Sequence, residues 1–265
     1  MQVLINNDDA QIDVRVDGSD GDTIVLIHGF PFTSDIWEPQ VRALSQRFRV
    51  VRPDLRGMGN SRVVGGPYLM EALAGDIAVV LDALGAQRVT LVGHSLGGFV
   101  ALAFARMYAE RIQRLALACS RLSADTPQRA KWRNERADFL EKSGSIAELC
   151  DEMIAACIAP QRYAGDPEFV ASVRAIAMKN RAPGLAAMLR GMAMRTGAED
   201  IAPDLDMPVL IAAGAADPTL PLNEARAQAD RFGNARVRVF EHSGHLPMLE
   251  EPDQMTACLT EFLSG

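Results

Sequence analysis

Val89-Thr90-Leu91-Val92-Gly93-His94-Ser95-Leu96-Gly97-Gly98 is an apolar, β-branched run that ends in Gly-x-Ser-x-Gly and opens directly into a helical pattern over 96–108. A strand that turns into a helix within one residue forces the residue at the turn into backbone angles that most side chains resist. Gly93, Gly97 and Gly98 remove the Cβ atoms that would collide there. Ser95 is therefore expected to project from the carboxyl edge of a sheet, with the positive end of the helix dipole behind it. The pentapeptide alone recurs by chance, and its place between a strand and a helix is what gives it weight.

Three other loops supply what a serine hydroxyl lacks. The run Ile24-Val25-Leu26-Ile27 ends in His28-Gly29-Phe30-Pro31, a glycine-assisted turn whose backbone can reach the same edge. The main-chain N–H groups of Phe30 and Leu96 are then the natural pair of donors for an oxyanion. Pro208-Val209-Leu210-Ile211-Ala212-Ala213-Gly214-Ala215-Ala216-Asp217 delivers a carboxylate just beyond a strand, and Glu241-His242-Ser243-Gly244-His245 delivers an imidazole beyond the last β-like run. A hydroxyl is a poor nucleophile until a base takes its proton, an imidazole does so near neutral pH, and a carboxylate fixes the imidazole tautomer. The chain order Ser95, Asp217, His245 differs from that of chymotrypsin-like and subtilisin-like proteins.

Each role has a rival. His242 directly follows the strand pattern and is read as shaping the turn, and Asp125 lies some distance beyond the run at 114–119, so His245 and Asp217 are preferred. His28 and His94 sit inside the loop motifs and are expected to make local contacts. His242-x-x-His245 has no further ligands at metal spacing, so neither a metal nor a cofactor is expected. In Arg52-Pro53-Asp54-Leu55-Arg56-Gly57-Met58-Gly59-Asn60-Ser61, Asp54 and Arg56 are read as bracing the loop beside the oxyanion turn rather than forming an anion site.

Around these motifs, short β-branched runs at 11–17, 23–28, 48–53, 88–93, 114–119, 208–213 and 236–241 alternate with helical patterns at 37–46, 69–84, 96–108, 222–232 and 253–263. That alternation predicts an α/β fold with a parallel sheet and crossover helices. It breaks between about 121 and 199, where Ala, Met, Leu, Arg and Glu dominate and helical stretches at 126–142, 146–159, 166–179 and 183–195 are separated by Gly144, Pro160, Gly165 and Pro183. Residues 1–120 and 200–265 are thus expected to form the core, and 121–199 a helical cap. Phe30, Leu220 and Leu246 adjoin the candidate loops and are read as pocket residues, together with Trp132 from the cap. The cap methionines Met153, Met178, Met188, Met192 and Met194 suit either an adaptable pocket or gaps between helices.

The 265 residues carry a net charge of −7 and a sequence pI near 5.2, which argues against nucleic acid as a partner and favours small neutral or apolar substrates. Residues 1–20 lack a basic start followed by an apolar run, and no stretch reaches the length of a membrane span, so a cytoplasmic protein with no membrane partner is expected. Cys119, Cys150, Cys157 and Cys258 form no Cys-x-x-Cys pair and are read as buried thiols. Either a monomer or a homo-oligomer is compatible with this composition.

Over nearly the whole chain the sequence resembles the α/β-hydrolase superfamily. The resemblance rests on His28-Gly29-Phe30-Pro31, Asp54 to Ser61, Gly93 to Gly98, Gly214 to Asp217 and Gly244-His245, in the family's order. It implies a mostly parallel eight-stranded sheet, a helical lid after the sixth strand and a Ser-Asp-His triad without cofactor. Small bacterial carboxylesterases and enol-lactone hydrolases look most similar, which implies cleavage of a small ester or lactone. Ser95 stands where epoxide hydrolases and haloalkane dehalogenases carry aspartate, disfavouring those reactions. Cofactor-free haloperoxidases and perhydrolases commonly have Met after the nucleophile where this chain has Leu96, yet Pro31 resembles a feature linked to perhydrolysis. Acyl transfer or perhydrolysis is the alternative within the enzymes, and a ligand-binding receptor on the same fold is the alternative outside them.

Overall fold

The computed structural model describes residues 1–8, 10–19 and 21–265. Among them, β1 (Gln2–Asn7), β2 (Ala10–Asp17), β3 (Thr23–Ile27), β4 (Arg49–Pro53), β5 (Val89–His94), β6 (Ile112–Ala118), β7 (Val209–Gly214) and β8 (Ala235–Phe240) build one sheet in the order β1-β2-β4-β3-β5-β6-β7-β8. β2 runs antiparallel to both of its neighbours, and every other pair is parallel. The sequence marks the central strands clearly because β3, β5 and β7 are buried along their whole length and so read as unbroken apolar runs. No run signals β1, and the structure explains why. It is an edge strand in which only Ile5 is buried and Leu4 is 56% exposed, so the alternation that marks a half-buried strand is missing.

Helices α1 (Glu38–Leu44), α2 (Met70–Ala83) and α3 (Leu96–Tyr108) lie in the first half of the chain. Then α4 (Pro127–Ser143), α5 (Ala147–Cys157), α6 (Pro160–Gly165), α7 (Pro167–Ala177) and α8 (Ala182–Ala193) follow one another between β6 and β7, where the described residues form no strand. The chain finishes with α9 (Leu222–Ala229), α10 (Pro247–Glu250) and α11 (Pro252–Ser264). α1 packs on α11 and α2 on α3, giving the two helical layers that the fully buried central strands require.

The boundaries of α4 follow from its sequence. Thr126 caps it by accepting from the Arg129 amide at 3.2 Å, Pro127 occupies the first turn, and Gly144 ends it at φ 67°. Pro160, read as a breaker, instead starts the short helix α6, a position in which proline's missing N–H costs nothing. Among the described residues, no helix is long and apolar enough to cross a membrane.

Strand order decides where the loops meet. After β4 the chain crosses over β3 to form β5, so β3 and β5 become neighbours and Ile27 pairs with Gly93. Beyond those residues, 28–30 and 94–96 leave the sheet side by side at a topological switch point, where open α/β sheets hold their ligands. His94 pairs with Ala118, Ala118 with Ala212, and Gly214 with Phe240. The loops carrying Ser95, Cys119, Asp217 and His245 therefore emerge in sequence along one edge.

Candidate active site

Ser95 sits between β5 and α3 at φ 49° and ψ −110°, a strained conformation that only the surrounding structure can hold. Its amide donates to Ala118 O at 2.9 Å, and its carbonyl accepts the Ser120 hydroxyl at 2.8 Å, so β6 fixes the turn from both sides. α3 then starts so close to β3 that a Cβ on Gly97 would lie 2.3 Å from Ile27 O, which is why glycine is required there. The N–H groups of Phe30 and Leu96 find no acceptor among the described residues, although both residues are buried. Buried amides rarely stay unpaired, and two of them, one in the turn after β3 and one directly after Ser95, are donors of the kind that suit an oxygen bearing developing negative charge.

Asp217 and His245 meet directly, with Oδ2 and Nδ1 2.6 Å apart and both residues about 5% exposed. The other carboxylate oxygen of Asp217 accepts the Thr219 hydroxyl at 2.6 Å and the amides of Thr219 and Leu220 at 2.8 and 3.1 Å. Burial pushes the Asp217 carboxyl up, but the adjoining His245 ring and the Thr219 donors outweigh it and hold the group well below the usual carboxylate range. The acid therefore stays ionised, and Nδ1 of His245 is committed to it. Ser95 and His245 both border one cleft, together with Phe30, Thr219 and Leu220.

The backbone around His245 is held with equal care. Its amide donates to Cys157 O at 2.6 Å, and its carbonyl lies 2.8 Å from Nε2 of His94. Since a carbonyl can only accept, His94 carries its proton on Nε2, leaving a buried Nδ1 without a partner. Burial, then the neighbouring His245, pull the His94 ring down to about 3, which keeps it neutral. His94 thus ties the serine loop to the histidine loop, a longer reach than the local contact expected of it. His28 does act locally: Nδ1 lies 3.0 Å from Gly29 O, and Nε2 accepts the Leu55 amide at 2.9 Å.

Asp54 accepts the amides of Ser34 at 2.8 Å and Asn60 at 3.0 Å, and Arg56 pairs with Asp76 at 2.7 Å, so this loop is braced by the residues expected to do it. His242 shapes its turn through its backbone, donating from its amide to Glu251 Oε2 at 2.9 Å. Asp125, the rival acid, is held by Arg133 and Arg195 instead of by a histidine.

Of the expected pocket residues, Phe30 and Leu220 border the cleft, while Trp132 and Leu246 do not. The Trp132 ring is taken up by the guanidinium groups of Arg129 and Arg136 at 5.3 and 5.9 Å, and Leu246 is drawn wholly into the core beneath the histidine loop. Met153 and Met192 reach the cleft; Met188 is core, and Met194 is 61% exposed.

Two features escape a reading of sequence. Glu250 is a buried carboxylate that accepts the amides of Gly244 at 2.9 Å, Leu246 at 3.2 Å and Ala159 at 2.8 Å. It anchors the histidine loop and the end of α5 together, and the only signal in the chain is the consecutive Glu250-Glu251 after an apolar stretch. Cys119 has its sulfur within 4.8 Å of the Asp217 and His245 donor atoms, a set that could ligate a soft metal. Its thiol is pushed well above the usual value by burial and by Asp217, and Nδ1 of His245 already engages the carboxylate. These atoms are better suited to one another than to an ion.

Comparison with known proteins bears on the family and the fold. The alpha/beta hydrolase family matches residues 24–257. The RutD protein of Caulobacter sp. (strain K31) is 31% identical over 93% of this chain and 92% of its own. The 3-oxoadipate enol-lactonase 1 of Acinetobacter baylyi is 27% identical over 99% and 97% respectively. Among solved structures, a thermophilic esterase from Thermogutta terrifontis superposes with a TM-score of 0.94 at 32% identity, covering 100% of this chain and 98% of that one.

Proposed function

The chain belongs to the alpha/beta hydrolase family, and on that premise we propose that it cleaves small carboxylic esters or lactones through an acyl-enzyme on Ser95. The Ser95 Oγ bonds to the carbonyl carbon while its proton passes to Nε2 of His245, and Asp217 stabilises the resulting imidazolium. The carbonyl oxygen takes the negative charge and rests against the Phe30 and Leu96 amides. The C–O bond to the leaving alkoxide then breaks, and the alkoxide collects the proton from His245. Water, giving a proton to the same nitrogen, adds to the acyl carbon; the bond to Ser95 breaks, the acid departs and the proton returns to the serine.

The 2.6 Å contact between Asp217 and His245, on the border of the cleft that Ser95 enters at a strained turn, carries this reading. Residues 121–199 act in it as a lid that encloses the substrate, and 1–120 with 200–265 as the core that holds the reacting groups. Two unpaired amides contribute in proportion to how dry the cleft is, since removal of one such donor typically costs about 2.7–4 kcal/mol of transition-state stabilisation.

The test is a panel of short-chain esters and lactones with a serine-directed phosphonate. Wild-type protein is expected to turn over at least one member, lose that activity on labelling, and yield the label on the peptide containing Ser95. Ser95→Ala should abolish the turnover. A label elsewhere, or activity that survives in Ser95→Ala, overturns the assignment.

A further inference from the structure

The cleft next to Ser95 has a charge opposite in sign to that of the molecule. The chain carries −7 overall, yet Arg121, Arg129 and Arg133 border the cleft, and Asp125 is the one carboxylate among the described residues that do. Asp125 is shared, since Arg133 Nε donates to one of its oxygens while Arg195 Nη2 stands 3.1 Å from the other. Arg121 has Glu224 at 3.3 Å, a residue 39% exposed. Arg129 has no ion pair and no side-chain hydrogen bond among the described residues, and its guanidinium rests only on the Trp132 ring at 5.3 Å. Burial, then the like charge of Arg133, pulls the Arg129 guanidinium below its usual value.

A part-buried cation whose charged neighbours on the cleft are two arginines and one carboxylate already shared between two other guanidiniums is costly unless something anionic completes it. Low-dielectric walls make the effect larger, because they focus the local field instead of averaging it with the distant acidic surface. A guanidinium with free donors is the group best shaped to grip a carboxylate with two parallel hydrogen bonds.

We propose that Arg129 receives a carboxylate carried by the substrate, so that the site prefers esters or lactones with a second, free acid group. This rests on the reading of Ser95 as the acylated residue, and it replaces the neutral or apolar substrate expected from net charge. Arg121 and Arg133 add to the field that draws such a molecule in, but they are engaged with Glu224 and Asp125. Arg129 is the cation left to the ligand.

Two matched pairs of esters test this by proton release. Monomethyl glutarate against methyl hexanoate places the charge on the acyl side, and 4-acetoxybutanoate against hexyl acetate places it on the alcohol side. In at least one pair, wild-type protein should favour the charged ester by tenfold or more in kcat/KM, with the preference shrinking as salt is raised. Arg129→Gln should cut that ratio at least tenfold, Arg129→Lys should keep part of it, and Lys131→Gln, on the exposed side of the same helix, should leave it unchanged. Arg129 is chosen because its removal leaves no carboxylate oxygen unpaired, whereas removal of Arg133 would leave one oxygen of the buried Asp125 carboxylate without its donor.

Titration of glutarate into the Ser95→Ala protein by calorimetry reads the subsite without chemistry: saturable binding is expected, and Arg129→Gln should abolish it. No preference in either pair, a preference untouched by Arg129→Gln, or no saturable glutarate binding overturns the proposal. If wild-type protein hydrolyses none of the four esters, the serine reading is left to the ester and lactone panel and glutarate binding alone decides the subsite; if Ser95→Ala retains activity, the serine reading falls and glutarate binding again decides.

Discussion

Thr219 stands where acid and base meet. Its hydroxyl lies 2.6 Å from Asp217 Oδ1 and 2.5 Å from His245 Nδ1. With one proton to give, it donates to the carboxylate and accepts a share of the imidazole N–H, so it fixes the ring plane relative to the acid. Thr219→Val keeps the shape and removes both bonds. We expect kcat to fall about tenfold, or roughly 1.4 kcal/mol, with KM nearly unchanged and Thr219→Ser restoring most of the rate. A fall in KM alone, seen in steady-state kinetics on a reactive acetate ester, would contradict this positioning role. Glu250 is a residue of another kind, since its carboxylate holds three amides from two segments. Glu250→Ala leaves those donors buried, and a loss of about 3 kcal/mol in urea unfolding follows from the cost of unpaired groups and lost charge-assisted bonds.

At the scale of elements, Asp125 joins the start of α4 to the chain after α8 through Arg133 and Arg195, with all three side chains nearly buried. Asp125→Asn leaves two buried cations facing a neutral amide, and about 3–5 kcal/mol of destabilisation is expected. Burial pushes the Asp125 carboxyl up, but the two arginines prevail and hold it below its usual value. Its stabilisation is therefore complete above the unfolded carboxylate value near 4 and is lost as pH falls through the lower folded one. The gap between wild type and Asp125→Asn should stay constant from about pH 6 to 8 and close below about pH 4, as followed by denaturant melts at each pH. None of this is legible in a sequence, where Asp125 is one acidic residue after a strand. The central strands and the loops bearing Ser95, Asp217 and His245 are legible, because two-sided burial writes continuous apolar runs and tight turns demand glycine. Thr219, Glu250 and Arg129 are not, since their roles depend on which distant backbone or charge the fold brings within reach. Trp132 misleads for the same reason: an aromatic residue on a cap helix says nothing of the two arginines that cover it.

Taken as a whole molecule, the helical segment between β6 and β7 is tied to the sheet at widely separated points. Asn180 donates to Pro31 O at 2.7 Å and accepts the Gly59 amide at 2.8 Å, Lys179 reaches Asp35 at 2.6 Å, Tyr68 N donates to Ala187 O at 3.1 Å, and the His245 amide donates to Cys157 O at 2.6 Å. Buried apolar residues of α4, α5 and α8 also belong to one cluster with those of the sheet. A segment with its own core would melt separately, but this one borrows much of its polar satisfaction and apolar burial from the sheet, so the two should unfold together. The two tryptophans permit a direct test, because Trp37 lies fully buried in the core just before α1 while Trp132 lies on α4. In Trp132→Phe the fluorescence follows the core, and in Trp37→Phe it follows the helical segment. Each variant's fluorescence midpoint in urea should coincide with its own far-ultraviolet circular dichroism midpoint, whatever the substitution does to absolute stability. A Trp132 signal that is lost at clearly lower urea than the dichroism would show a lid that opens on its own. In that case enclosure of the cleft would be a separate equilibrium set by the contacts at Asn180 and Lys179.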